Sequence, residues 1–252
     1  MKIKEKIFLF LFLIIYILTN NTIGVFTLKG DCSKNVPRVV LIELFVQENC
    51  PTCPTVEFCL EDLAWEYGTG KIILVEEHLW SDGYDTPEIN SRYNWYVGKS
   101  KKGTPDVFIN GLTKRIQGLA CDCIDENYTC YKEIIDKELT RHSLVELSAS
   151  KTISNSTIVI KGRVKSVSNI HLKNLAVCGM IYKEGNETGL NYWVQDIFPF
   201  QSVPSLSPQE TFVFSFVSEP LFWQEDDKDE FRAAIFVQDI ETKEVLQSLY
   251  VE

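Results

Sequence analysis

The stretch VVLIELFVQENCPTCPTVEFCLEDL, residues 39–63, changes its hydrophobic period at two cysteines. Before them the run is almost continuously apolar, as in a strand buried on both faces. After them Val56, Leu60, Leu63, Ala64 and Tyr67 recur at steps of three and four, the stripe of an amphipathic helix. A chain that passes from buried strand to helix through Cys-x-x-Cys is tightly constrained, because Cys50 and Cys53 must sit where the backbone changes geometry.

The pattern continues in kind to about Arg141. Glycines in EYGTGK end the helix, and KIILVEE reads as a second strand. DTPEINSRYNWYVGKS predicts a helix with Thr86 as N-cap, Pro87 in the first turn, and Ile89, Tyr93 and Val97 inside. PDVFING and TKRIQG form a hairpin pattern around Asn110-Gly111, a pair suited to a type I′ turn. NYTCYKEIIDKELTR closes the region as a helix. The expected order is β-α-β-α-β-β-α.

From Ser143 the period becomes two. VELSAS, STIVIKGRV, NLAVCGMIY, YWVQDI, ETFVFSFV, RAAIFVQD and EVLQSLYV read as strands, with KEGNETG and SVPSLSP as turn-rich breaks. Phe212, Phe214 and Phe216 share one strand face and call for a covering sheet. About seven strands suit an all-β immunoglobulin-like sandwich over residues 143–252, after an α/β domain over residues 38–141.

Residues 1–24 stand apart. MKIKEK is basic, and Ile7–Leu18 is an apolar core shorter than the ~20 residues needed to span a bilayer. This order predicts a secretory signal, or else an N-terminal anchor giving membrane attachment, so the chain is expected in the periplasm or at the cell surface. The formal charge of −10 argues against nonspecific nucleic-acid binding, since no phosphate-neutralising patch stands out. Eight cysteines, an even number in an exported chain, favour disulfides.

A disulfide between Cys50 and Cys53 closes so small a ring that chain entropy yields only ~2 kcal/mol, a weak reason for a structural staple. Redox chemistry explains the pair better. At a helix start the Cys50 sulfur faces unpaired N–H groups and the positive dipole end, which favour the attacking thiolate. Cys53, one turn on, is placed to resolve a mixed disulfide. Pro51 suits a first turn, whereas Pro54 is expected to delay regular helix slightly.

This exported strand–Cys-x-x-Cys–helix unit, followed by β-α-β-β-α and GTPDVFING, resembles the thioredoxin fold. The resemblance implies a cis proline at Thr104-Pro105 beside the redox pair, with the Thr104 backbone receiving an incoming substrate segment. With AAIFVQDIETKEVLQS near its end, the chain is also similar to the bacterial twenty-eight-kilodalton outer-membrane-protein-related family, in which a thioredoxin-like domain precedes a β-sandwich. Thioredoxins carry a buried acid before the pair. Glu43 is the nearest candidate proton relay, but it lies seven residues before Cys50, one more than that pattern, and one residue reverses a strand side chain.

Cys121 or Cys123 pairing with Cys130 is the plain expectation for the later cysteines; Cys32 and Cys59 have open partners, and Cys178 reads as a buried apolar residue. A second dithiol is an alternative. Zinc held by Cys50, Cys53, Cys121 and Cys123 is a weaker one, and no metal or other cofactor is expected. His78 reads as an exposed loop residue. Asn20, Asn127, Asn155 and Asn186 fit the glycosylation pattern. The resulting expectation is a thiol–disulfide oxidoreductase acting on thiol- or disulfide-bearing proteins, with a redox partner protein. The alternative is a non-catalytic envelope binding or assembly protein on the same scaffold.

Overall fold

The seven strands and helices expected before residue 141 all form. In the computed structural model, which describes residues 35–80, 82–121, 126–154, 156–184, 191–220 and 230–252, they run β1 (Val40–Val46), α1 (Cys53–Tyr67), β2 (Ile72–His78), α2 (Pro87–Val97), β3 (Asp106–Ile109), β4 (Lys114–Gln117) and α3 (Asn127–Leu139). β1 pairs parallel with β2 and antiparallel with β3, which pairs antiparallel with β4. Thr86 caps α2 as expected, its Oγ1 accepting the Ile89 N–H at 3.2 Å. The buried stripe is Ile89, Tyr93, Tyr96 and Val97.

Two local expectations change. Regular helix starts at Cys53 rather than Cys50, and Pro54 falls in its first turn, where a missing N–H costs nothing. The Asn110-Gly111 turn has positive φ at both residues, 50° and 64°, but strand pairing resumes only at Lys114. Asn110 is committed elsewhere. It exchanges hydrogen bonds with Leu41, its N–H donating at 2.8 Å and its Oδ1 accepting at 3.0 Å, and its carbonyl accepts the Val245 N–H at 3.1 Å. A Cβ at Gly111 would lie 2.0 Å from the Lys243 carbonyl, so only glycine permits this approach.

The later strands are β5 (Val145–Ser154), β6 (Thr157–Ser166), β7 (Leu172–Lys183), β8 (Trp193–Ile197), β9 (Gln201–Leu206), β10 (Thr211–Val217), β11 (Phe231–Asp239) and β12 (Val245–Val251). SVPSLSP was expected as a break, yet β9 runs through it. Among the described residues β9 pairs only with β7, and Pro204 falls where the ladder skips Asn174, so its missing N–H leaves no gap.

The immunoglobulin-like arrangement is realised only in part. β5, β6 and β10 form a small antiparallel sheet, while the other later strands join the first region in one mixed sheet ordered β12-β11-β7-β8-β2-β1-β3-β4, with β9 on β7. The seam is the parallel contact of Glu76 with Trp193, where the Glu76 N–H donates to the Tyr192 carbonyl at 2.9 Å. Side-chain alternation then builds three cores. Leu41, Phe45 and Phe108 pack under α2 in a core that continues through Cys178, Met180 and Phe236. On the opposite face Ile42, Leu44 and Val107 meet α1 and α3. Val177, Ile235, Phe214 and Phe216 fill the space under the small sheet, as the phenylalanine pattern required.

Candidate functional site

β1 ends at Val46 and the chain turns, the Cys50 N–H donating to the Gln47 carbonyl at 3.1 Å. Cys50 and Cys53 are joined as a disulfide, their Cα atoms 5.4 Å apart. The Cys53 N–H, a first-turn donor with no intrahelical partner, donates to Cys50 Sγ at 3.1 Å. Together with the positive helix end, that donor favours a thiolate at Cys50 once the disulfide opens. Cys50 is 8% exposed and Cys53 2%, so Cys50 offers the more accessible sulfur.

β3 lies beside β1 with Asp106 opposite Phe45, which brings Pro105 next to the strand end from which the cysteine turn departs. The Thr104-Pro105 bond is cis. The Pro105 carbonyl accepts the Gly118 N–H at 2.8 Å. Among the described residues the backbone groups of Thr104 take no hydrogen-bond partner, which leaves a short edge able to pair with a visiting strand.

Glu43 is not with the cysteines. It is fully buried on the α2 face, held by Arg92 Nε and by the Tyr96 hydroxyl, which donates to Oε2 at 2.6 Å. The one-residue offset has its full effect here: Leu44, not Glu43, faces α1 with the cysteines. Glu77 shares the α2 face with Glu43. Its carboxyl pKa is pushed well up by burial and then by Glu43, with Arg92 opposing.

The carboxyl on the cysteine face is Glu76. It follows Ile72 and Leu74 at steps of two, pairs in register with Leu44, and is 4% exposed. Its Oε1 has no hydrogen-bond partner. Burial, then Glu57 and Glu61 of α1, holds its pKa well above the ordinary carboxylate range. The residues KIILVEE carry no sign of this placement, because only the β1–β2 register assigns Glu76 and Glu77 their faces.

His78, expected in an exposed loop, is instead buried at the end of β2, its Nδ1 2.7 Å from Asp82 Oδ2. Asp82 Oδ2 also accepts the Glu48 N–H at 3.3 Å and so braces the turn before Cys50. Cys121 pairs with Cys130, which removes Cys121 from the four-thiolate set. Cys59 and Cys178 are buried free thiols, with the Cys178 pKa pushed up to about 12 by burial. Asn127 is no glycan acceptor in this fold: it is fully buried, and its Oδ1 accepts the N–H groups of Ala120 and Cys121 at 2.5 and 3.2 Å. Cys32, Cys123, Asn20, Asn155, Asn186 and the proposed signal lie outside the described residues.

No family model matches the sequence, and no curated protein matches it. Among solved structures the chain is similar to HBP35 of Porphyromonas gingivalis, with a TM-score of 0.67 at 13% identity over 88% of this chain and 76% of that one. A domain of the outer membrane lipoprotein Omp28 from Porphyromonas gingivalis matches at 14% identity and a TM-score of 0.34, over 44% of this chain and 88% of that domain. The first likeness is one of fold and spans most of the described chain; the second is too slight to add to it. The chain thus has a fold like that of HBP35, a mixed α/β sheet with three helices and a small antiparallel sheet, with a disulfide at the head of its first helix.

Proposed function

We propose that this protein is an exported thiol–disulfide exchange protein related to the twenty-eight-kilodalton outer-membrane-protein family, working outside the cytoplasm. The observation that carries the reading is the Cys50–Cys53 disulfide beside an open Thr104 backbone edge, with a helix N–H aimed at Cys50 Sγ. The signal-like N-terminus supports export, and no helix among the described residues is long and apolar enough to cross a membrane.

In the reduced protein the Cys50 thiolate attacks a disulfide of a protein substrate held along Thr104. The substrate S–S bond breaks, one substrate sulfur leaves as thiolate and takes a proton, and the other remains bonded to Cys50. Cys53 then loses its proton and attacks Cys50 Sγ, releasing the second substrate thiol and forming the Cys50–Cys53 disulfide. Two electrons pass to the substrate, and a dithiol partner protein restores them. The same steps in reverse oxidise a substrate dithiol. Glu76, not Glu43, is the buried carboxyl on the side where Cys53 must shed its proton.

Trapping tests the reading. Cys53→Ala expressed in the native host should accumulate disulfide-linked proteins on Cys50 that reductant releases. The second reading, a binding or assembly protein whose pair is structural, is favoured by the low exposure of both sulfurs. A pair poised between about −120 and −270 mV supports exchange, whereas one that stays oxidised below about −300 mV supports the scaffold.

A further inference from the structure

Helix α1 has an outer face that the core does not use. At roughly 100° per residue, Phe58 and Trp65 fall within about 20° of one another around the helix. They are 67% and 86% exposed. Glu57, Glu61, Asp62 and Glu66 flank this ridge, and the helix carries no lysine or arginine. Lys132 of α3 meets Glu66 at 3.4 Å. Glu57, Glu61 and Asp62 have no cationic partner among the described residues.

Glu76 lies beneath them, buried, its unpartnered Oε1 on the β2 face that α1 covers. Burial first, and then Glu61, pushes the Glu57 carboxyl upward; Glu76 is raised by burial and then by Glu57 and Glu61, and Glu61 by burial and then by Asp62. Tyr192, at the entry to β8, is the other titratable group that feels Glu61 and Glu76. Glu57 and Glu61 therefore line one flank of an aromatic ridge, and no described residue supplies that flank with a cation.

We infer that the outer face of α1 docks a polypeptide segment presenting lysine or arginine beside apolar side chains, the cation meeting Glu57 and Glu61 while the apolar groups cover Phe58 and Trp65. Other occupants fit less well. A small metal ion would leave the aromatics in water. An anionic lipid surface would be repelled by the flanking acids. A second copy of this chain bringing the same face would set acids against acids. The surface begins one turn beyond Cys53, but the inference concerns binding and does not rest on the redox chemistry.

The test uses the full chain and a fluorescein-labelled helical peptide of leucine and lysine, with a leucine–glutamate peptide and oligolysine as comparators, read by anisotropy. The leucine–lysine peptide should bind, and more weakly as salt rises. Phe58→Ser with Trp65→Ser should weaken it about tenfold or more, as loss of aromatic anchors does at interfaces. Glu57→Gln with Glu61→Gln should weaken it and flatten the salt dependence; circular dichroism should show both variants folded. Equal binding of the leucine–glutamate peptide or of oligolysine, or affinity unchanged in either double variant, would overturn the inference. So would self-association of the chain that the same substitutions abolish.

Discussion

Adjacent strands β1 and β2 bury acids on both faces of one sheet, and the two faces treat them differently. Under α2, Glu43 is answered by Arg92 and Tyr96, and Arg92 reaches on to Gln238 of β11 at 3.4 Å. Under α1, Glu76 has no cation among the described residues and one oxygen without any partner there. A buried charge that is fully hydrogen-bonded ties elements together, whereas one left unpaired is kept neutral by its surroundings and can take part in proton movement. The first face is therefore structural and joins the two regions of the chain. The second shares its helix with Cys53 and is the face on which the proposed exchange would take place.

The comparison breaks most visibly if the α2 face is emptied of its cation. Arg92→Met leaves Glu43 and Glu77 together in an apolar core, and the expected loss is about 3–5 kcal/mol of unfolding free energy in denaturant titration. A loss below about 1 kcal/mol would show that the network is not holding the regions together.

On the α1 face the largest effect is on activity. Cys50→Ser should reduce disulfide exchange with a protein substrate to background, measured by the release of substrate thiols. Its stability should change by only about 2 kcal/mol, since the closed ring is small.

A pH series sharpens the contrast. The Glu76 pKa is raised on folding, so the native state holds a proton that the unfolded state has lost. Stability is then greatest below the ordinary carboxylate pKa and falls as pH rises through the raised one, by up to about 1.4 kcal/mol for each pH unit in that window. Glu76→Gln should remove its share of that fall, and Glu77→Gln on the other face should remove another. If Glu76 serves Cys53, Glu76→Gln also flattens the pH profile of the resolving step in single-turnover exchange; a merely structural Glu76 leaves that profile unchanged.

The smallest effect is at the rim of the α2 face. Thr86→Ala removes the oxygen that accepts the Ile89 N–H and should cost about 1 kcal/mol in thermal or denaturant unfolding. Exchange activity should be untouched, because the cap lies on the face away from the cysteines.

Much of this is legible in the sequence alone. The stripe Val56–Leu60–Leu63 and the capped helix after Thr86 are local patterns, and local patterns survive folding because each buries its own face. β9 was not legible, since Pro204 and its polar neighbours suit a turn unless the strand has one open side. The Asn110-Gly111 turn was half legible: its backbone signs were right, but its length depended on Leu41 and Val245, which are distant in sequence.

The sequence by itself determined the element order as far as α3, the place of Cys50 and Cys53 between strand and helix, and the buried character of Cys178, because these follow from side-chain size, polarity and spacing along one chain. Only tertiary structure decided which acid faces the cysteines and that both regions share a sheet. The reason is geometric. Strand faces alternate residue by residue, so Glu43, Glu76 and Glu77 look alike until pairing sets Leu44 against Glu76 and Glu76 against Trp193.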